Sequence, residues 1–462
     1  MEQIPLSALL RSKQAGSRHN PTKVIVSSFL FVILCGALLL MLPISSRDGQ
    51  SCGLLGALFT ATSATCVTGL IVFDTFLQFT TFGQVVIILL IQIGGLGLVT
   101  LTTFFNIMVG RRLGFKSLQL ASESISLSDS SQTGRLIHVV MRVAFLCEAT
   151  GALLLSFVFV PQYGAEGIFI SVFISISAFC NAGFDVFGRL GAFSSLTTFS
   201  STPYVLAIVA ALIVCGGLGF LVWQDLILFR KTHHLRVHTK LVLWMTGAMI
   251  VGGCIGFALL EWNNPATIGS MNVFDKISNS MFQSITSRTA GFNSVDLGAT
   301  HNITKLFMVV LMFIGAAPGG TGGGIKVTTI AVLLVAVVSV IRGRQDAQVF
   351  GRKIGQKVVY KSLAIFMLSA MAVMVSSMII FFNTGSEFNE MSSIFEAVSA
   401  FATVGLTVGV TAYMNPIAQI ATMLTMLIGR VGPVSMAITL SLHHSTDENM
   451  HVVIPQADLT VG

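Results

Sequence analysis

Four glycines, Gly69, Gly183, Gly291 and Gly405, fall 114, 108 and 114 residues apart, and each closes a short apolar stretch carrying hydroxyls. The stretches read Phe59-TATSATCVT-Gly69, Phe173-ISISAFCNA-Gly183, Phe282-QSITSRTA-Gly291 and Phe395-EAVSAFATV-Gly405. Glycine permits backbone angles that turn carbonyl oxygens inward, and rings of carbonyls can replace the water around a small cation. A half-helix ending at mid-membrane adds roughly half a negative charge at its carbonyl end. Thr65, Thr68, Thr289 and Thr403 accompany the glycines, with no ring of carboxylates. That chemistry suits a dehydrated monovalent cation over calcium or a large organic solute. The residues expected to form such a site are Val67, Thr68 and Gly69; Asn181, Ala182 and Gly183; Thr289, Ala290 and Gly291; and Thr403, Val404 and Gly405. The competing reading is that these glycines only let helices pack closely.

A second motif follows each stretch: IGGLG at 93–97, CGGLG at 215–219, IGAAPG at 314–319 and IGRVG at 428–432. Two motifs recurring four times in one order indicate a fourfold internal repeat. Close packing and function compete equally as explanations of these echo glycines. The third echo opens a run, 315–324, that holds Gly315, Gly319, Gly320, Gly322, Gly323 and Gly324 with Thr321 and Pro318. No helix accommodates that composition. As one helix, 306–341 would be about 54 Å long, beyond any membrane, so it should break into two helices joined at mid-membrane. A phosphate-binding loop does not fit, because Ile325 separates Gly324 from Lys326.

Charge inside apolar spans is expensive and usually paired or functional. Lys326 and Arg430 qualify. Arg430 takes the place of Gly95 and Gly217 in the echo, so it should face the same centre, as a barrier to ions or paired with Glu148 or Glu396. Arg288 should point away from the centre and brace its loop against Asp296 or Glu396. Glu148 and Glu396 read as pairing partners, with proton or sodium binding as the alternative. His234 and His238, beside His233, have an i, i+4 spacing that suits zinc, although partner or lipid contact is the plainer reading in a basic loop.

The elements that must position these residues are membrane helices. Of 462 residues, 53% are hydrophobic and 10% charged, with mean hydropathy +0.85, which excludes a water-soluble enzyme. Eight apolar stretches of spanning length lie near 24–42, 82–109, 143–160, 204–222, 241–260, 306–341, 362–382 and 417–440. Between the members of each pair sit shorter pieces near 53–69, 167–183, 272–291 and 391–405, which read as re-entrant. Lys and Arg gather before the first span and after the second, fourth and sixth. By the positive-inside rule those connections and both termini are cytoplasmic. The net charge of +7 therefore reflects topology and lipid, not nucleic acid. The seven cysteines show no CxxC spacing and suggest neither zinc nor a disulfide framework. The expected architecture is an all-α polytopic membrane protein of four span–pore-loop–span repeats around one pseudo-fourfold pore. Its parts are an N-terminus (1–22), repeats at 23–109, 110–229, 230–341 and 342–441, and a tail (442–462) whose docking place the sequence leaves open.

The strings VTGL, NAGF, RTAGFNSVD and SAFATVGLT, with GGTGGGIK and IGRVGP, resemble the Trk/Ktr/HKT superfamily of cation transporters, nearest the bacterial Ktr membrane subunit, over essentially the whole chain. The resemblance implies a potassium pore with one filter glycine per repeat, here Gly69, Gly183, Gly291 and Gly405. It implies potassium at the filter carbonyls and a gate formed by the 315–324 loop, to which the reading of charge within the spans adds Lys326 and Arg430. It further implies a homodimer in the bacterial plasma membrane, a cytosolic ring of nucleotide-binding (RCK-type) regulatory subunits, and sodium as an activator. A serine at the first filter position goes with sodium conduction in some relatives, so glycine at all four favours potassium. A sodium-permeable or weakly selective relative is the alternative. An alternating-access carrier would need inverted repeats, and only one span here is plainly broken. An intramembrane enzyme would need a nucleophile–base or metal constellation, which the spans do not offer.

Overall fold

The computed structural model describes residues 21–97, 100–104, 133–344, 346–385, 388–433 and 436, the side chains of 21–22 and 133–136 aside. The loop carrying Arg111, Arg112 and Lys116 and the tail 442–462 lie outside them. The described chain is almost wholly helical, with one two-stranded hairpin pairing Gln348–Val349 with Arg352–Lys353.

One unit recurs four times. A long helix comes first: Pro21–Leu40, Thr133–Tyr163, Val237–Glu261 and Gln356–Phe382. All four are long and apolar enough to cross a membrane. A short helix follows, Leu54–Cys66, Glu166–Phe179, Val273–Thr286 or Glu390–Ala402, and most of each is buried. Asn272 and Asn389 start the last two by accepting the backbone N–H of Asp275 and Ser392, the usual work of an N-cap. The phenylalanines that open the repeated strings, Phe59, Phe173, Phe282 and Phe395, are all fully buried and anchor the short helices by apolar contact.

A second apolar helix follows in each unit, and one of the four departs from the expectation. These helices are Thr81–Leu96, Pro203–Gly217, Asn302–Phe313 and Pro416–Val431, each shorter than a span. The third breaks as expected, resuming at Val327–Ile341. It is not the only broken one. Pro203–Gly217 bends by 94° into Phe220–Thr232. The last glycine of every echo, Gly97, Gly219, Gly319 and Gly432, takes a positive φ between 68° and 96°, which glycine adopts without strain; Gly97 and Gly432 cap the ends of their helices, and Gly219 caps the start of the next.

The units close into a ring. The second helix of each packs on the short helix of the next: Thr81–Leu96 on Glu166–Phe179, Pro203–Gly217 on Val273–Thr286, and Asn302–Phe313 on Glu390–Ala402. Pro416–Val431 completes the circle on Leu54–Cys66. At the outer rim Asp74 joins the first two units, accepting from the N–H groups of Phe76, Leu77 and Phe193.

Candidate functional site

Each short helix ends in the same tight turn. Two residues before the repeat glycine the chain enters the left-handed region, at Val67 (φ 58°), Asn181 (61°), Thr289 (73°) and Thr403 (50°). The glycine follows at φ 92°, 69°, 85° and 88° for Gly69, Gly183, Gly291 and Gly405. Alternating signs of this kind turn successive peptide groups to opposite sides. The N–H groups are tied back to the helix: Thr68, Ala182 and Val404 donate to the carbonyls of Ser63, Ser177 and Ser399 at 2.7–2.8 Å, and Ala290 donates to Thr286 at 3.0 Å. A hydroxyl then locks each turn. Ser63 and Ser399 accept from the N–H of Gly69 and Gly405 at 3.1 Å, while Ser177 and Thr286 donate to the carbonyls of Phe184 and Phe292.

The four turns meet. A Cβ on Gly69 would strike the carbonyl oxygen of Ala182; on Gly183, that of Ala290; on Gly291, that of Val404; and on Gly405, that of Thr68. Twelve expected residues, from Val67 to Gly405, thus form one closed circle of buried backbone. With most of its N–H donors bound and four helix C-termini converging, the circle is rich in acceptors. Sequence reasoning missed the locking hydroxyls. Their signal was a serine six residues before the glycine in three repeats, and Thr286 in the third, whose turn is one residue shorter.

The first glycine of three echoes has a packing role. A side chain on Gly94, Gly216 or Gly429 would run into the carbonyl of Thr65, Phe179 or Phe401 at the end of its own short helix. Close approach, one of the two competing readings, therefore explains these three positions.

The 315–324 run lies against the same centre. Its ends are bridged, Gly315 N–H donating to the Ile325 carbonyl at 2.8 Å. Its middle touches the second and fourth repeats. Thr321 donates through its hydroxyl to Phe179 O at 3.1 Å and through its N–H to Gly216 O at 3.2 Å; Gly323 N–H donates to Thr403 Oγ1 at 3.0 Å. Gly319 accepts from Phe220 N–H, Gly324 donates to Gly429 O, and a side chain on Gly322 would collide with Thr289. Gly320 packs on the carbonyls of Gly216 and Gly217. Lys326 Nζ donates to Gly322 O at 2.7 Å.

Arg430 binds this loop to the first repeat. Its guanidinium donates to the carbonyls of Thr321 and Gly94, and to Gly95 at 3.3 Å. It pairs with neither Glu148 nor Glu396. Glu148 instead accepts from Gln92 Nε2 at 3.0 and 3.1 Å. Glu396 accepts from Thr407 and Thr411 hydroxyls and the Val408 N–H, bracing the segment beyond the fourth turn. So neither carboxylate is the ion-pair partner the sequence suggested. Arg288 departs as well. It does turn away from the centre, but it donates to Thr246 Oγ1 at 3.2 Å, not to Asp296 or Glu396. Among the described residues no three His, Cys, Asp or Glu side chains are grouped to hold a metal. At the outer rim the guanidinium of Arg189, bound to Glu166 at 2.5 Å, holds that carboxyl below the usual range.

Long apolar helices surrounding a closed circle of buried carbonyl turns define an α-helical membrane protein with one central cation-attracting focus. The TrkH family model, described as "Cation transport protein", matches residues 3–452, and the chain belongs to that family. It is 39% identical to the Ktr system potassium uptake protein B of Vibrio alginolyticus, with 93% of each chain covered. It is 35% identical to the potassium/sodium uptake protein NtpJ of Enterococcus hirae, covering 93% of this chain and 95% of that one. Its fold matches the crystal structure of the potassium transporter TrkH from Vibrio parahaemolyticus with a TM-score of 0.71, over 92% of this chain and 86% of that one, at 17% identity.

Proposed function

We propose that this chain takes up potassium through a gated pore on the axis of the four glycine turns. The observation that carries the reading is the closed circle in which each repeat glycine abuts the carbonyl before the next repeat's glycine. A dehydrated potassium ion would sit among the carbonyls of Val67 to Gly69, Asn181 to Gly183, Thr289 to Gly291 and Thr403 to Gly405. The layout behind it is eight spans and four re-entrant half-helices in the repeats 23–109, 110–229, 230–341 and 342–441, in a bacterial plasma membrane, with both termini cytoplasmic on the strength of the Lys and Arg distribution. The loop 315–324, tied by Lys326 and Arg430, is the gate: it contacts the second and fourth repeats and is joined to the first through Arg430, and a guanidinium in the ion path would repel cations.

The partners follow from the relatives. The "Ktr system" of the Vibrio relative's name supports a membrane subunit that works with others, here a cytosolic ring of nucleotide-binding subunits. A second copy of the chain is the other partner; Gln356–Phe382, the least buried long helix, leaves Met367, Met371, Met374 and Met378 exposed for it. Sodium acts as an activator. The second reading, a pore that also passes sodium, is favoured by the name of the Enterococcus relative.

The test is rubidium and sodium flux into liposomes holding the purified chain, with Gly291→Ser beside it. The φ of 85° and the contact with Val404 leave no place for a side chain, so rubidium-selective flux in the native chain should fall sharply in the variant. Equal flux of both ions, indifferent to the substitution, sinks the filter.

A further inference from the structure

We propose that Arg288 is a residue that makes the pore discriminate against divalent cations, as a fixed positive charge left unneutralised behind the third turn; the inference rests on the pore reading above. Arg288 stands three residues before Gly291 and is only 7% exposed. Its guanidinium has one side-chain partner, the Thr246 hydroxyl, and its Nε meets no acceptor. A guanidinium does not lose its proton in a protein, so the charge is present. No carboxylate among the described residues pairs with it. It borders a void of about 10 Å³ lined also by Ile213, Val214, Leu218, Ile285 and Ala316, a space with room for no anion. The equivalent positions in the other repeats are Cys66, Cys180 and Ala402, all neutral.

A cation that served only to brace the turn would be held more cheaply by a carboxylate or by several carbonyls, as Arg430 is. An unpaired charge in apolar surroundings instead projects its field over many ångströms. An ion in the turns feels that field in proportion to its own charge. If removing the charge raises the occupancy of a monovalent ion by a factor f, it raises that of a divalent ion by f squared. The four helix ends attract both kinds of ion, and Arg288 trims the attraction most for the divalent one.

The experiment uses the full chain in liposomes and reads two constants, the rubidium concentration for half-maximal influx and the barium concentration for half-block. Three variants are compared: Arg288→Gln, which removes the charge; Arg288→Lys, which keeps it; and Thr246→Asp, which neutralises it in place. Arg288→Gln should lower the rubidium constant about threefold and the barium constant about tenfold, the square law of charge. Arg288→Lys should stay within about twofold of the native chain, and Thr246→Asp should follow Arg288→Gln. Equal shifts for the two ions, or Lys behaving as Gln, would reduce Arg288 to a structural brace and overturn the inference. If Arg288→Gln does not elute as a folded species, Thr246→Asp carries the same comparison. Equal rubidium and sodium flux in the native chain, indifferent to Gly291→Ser, would overturn the pore reading and this inference together, before any Arg288 variant is made.

Discussion

Arg430 and Arg288 occupy junctions that are opposite in ring order, the first between repeats four and one, the second between two and three. Both are buried cations without a carboxylate. Arg430 spends its donors on three carbonyls, one in the glycine-rich loop and two in the first echo. Arg288 has a single hydroxyl on a long helix and no bond to the loop. The difference teaches that the same residue type can act as a latch or as a fixed charge. A latch needs partners on a part that moves away, and a fixed charge needs partners on a part that does not.

The largest effect should come from cutting the latch. Charge-assisted hydrogen bonds contribute about 1.5–3 kcal/mol each, so Arg430→Ala should raise rubidium influx in the absence of any cytosolic partner by about tenfold or more. Unchanged influx would mean that the loop is not the barrier. Thr403→Val removes the hydroxyl that accepts from Gly323 while leaving Arg430 in place. It should shift the same equilibrium by about 1 kcal/mol, a rise of several-fold in the same assay. On the other side of the ring, Thr246→Val strands the Arg288 donors at a cost of about 1–3 kcal/mol. Its melting temperature should drop by a few degrees in a fluorescence unfolding assay while influx without a partner stays within twofold. A rise in influx there would erase the distinction between latch and fixed charge.

The smallest effect belongs to a pair outside both junctions. Glu166 and Arg189 are bound but more than half of the Glu166 side chain is exposed, so Glu166→Gln should cost no more than about 0.5 kcal/mol. The carboxyl is held below its usual range, so this contribution is complete at neutral pH and is lost as the pH falls through the carboxyl's folded-state range, below about pH 4.3. A native-minus-variant difference in melting temperature that grows as the pH falls below that range would contradict the pairing.

Much of the site was legible because repetition exposes it. Gly69, Gly183, Gly291 and Gly405 announce themselves by recurring behind similar strings, and the broken third-repeat helix follows from six glycines in ten residues. What misled was local plausibility. Glu148 and Glu396 looked like the natural partners of Arg430 and Arg288 because charge in an apolar span invites pairing. Instead an amide, two hydroxyls and backbone groups satisfy the carboxylates, and carbonyls at helix breaks satisfy Arg430. The bend of Pro203–Gly217 into Phe220–Thr232 was equally hidden, since CGGLG alone does not tell a packed glycine from a helix end.

The sequence by itself determined the helical membrane class, the fourfold repeat, the four short helices and the residues of their turns. Apolar length and recurrence are properties of the chain read one residue after another. Only the tertiary structure decided that the four turns close on one another, that Gly94, Gly216 and Gly429 admit a carbonyl, and which groups Arg288 and Arg430 touch. Those contacts join residues from about thirty to more than three hundred positions apart, and their hydrogen bonds are made chiefly to backbone carbonyls. Every residue carries such a carbonyl, so residue identity could not have named the partners.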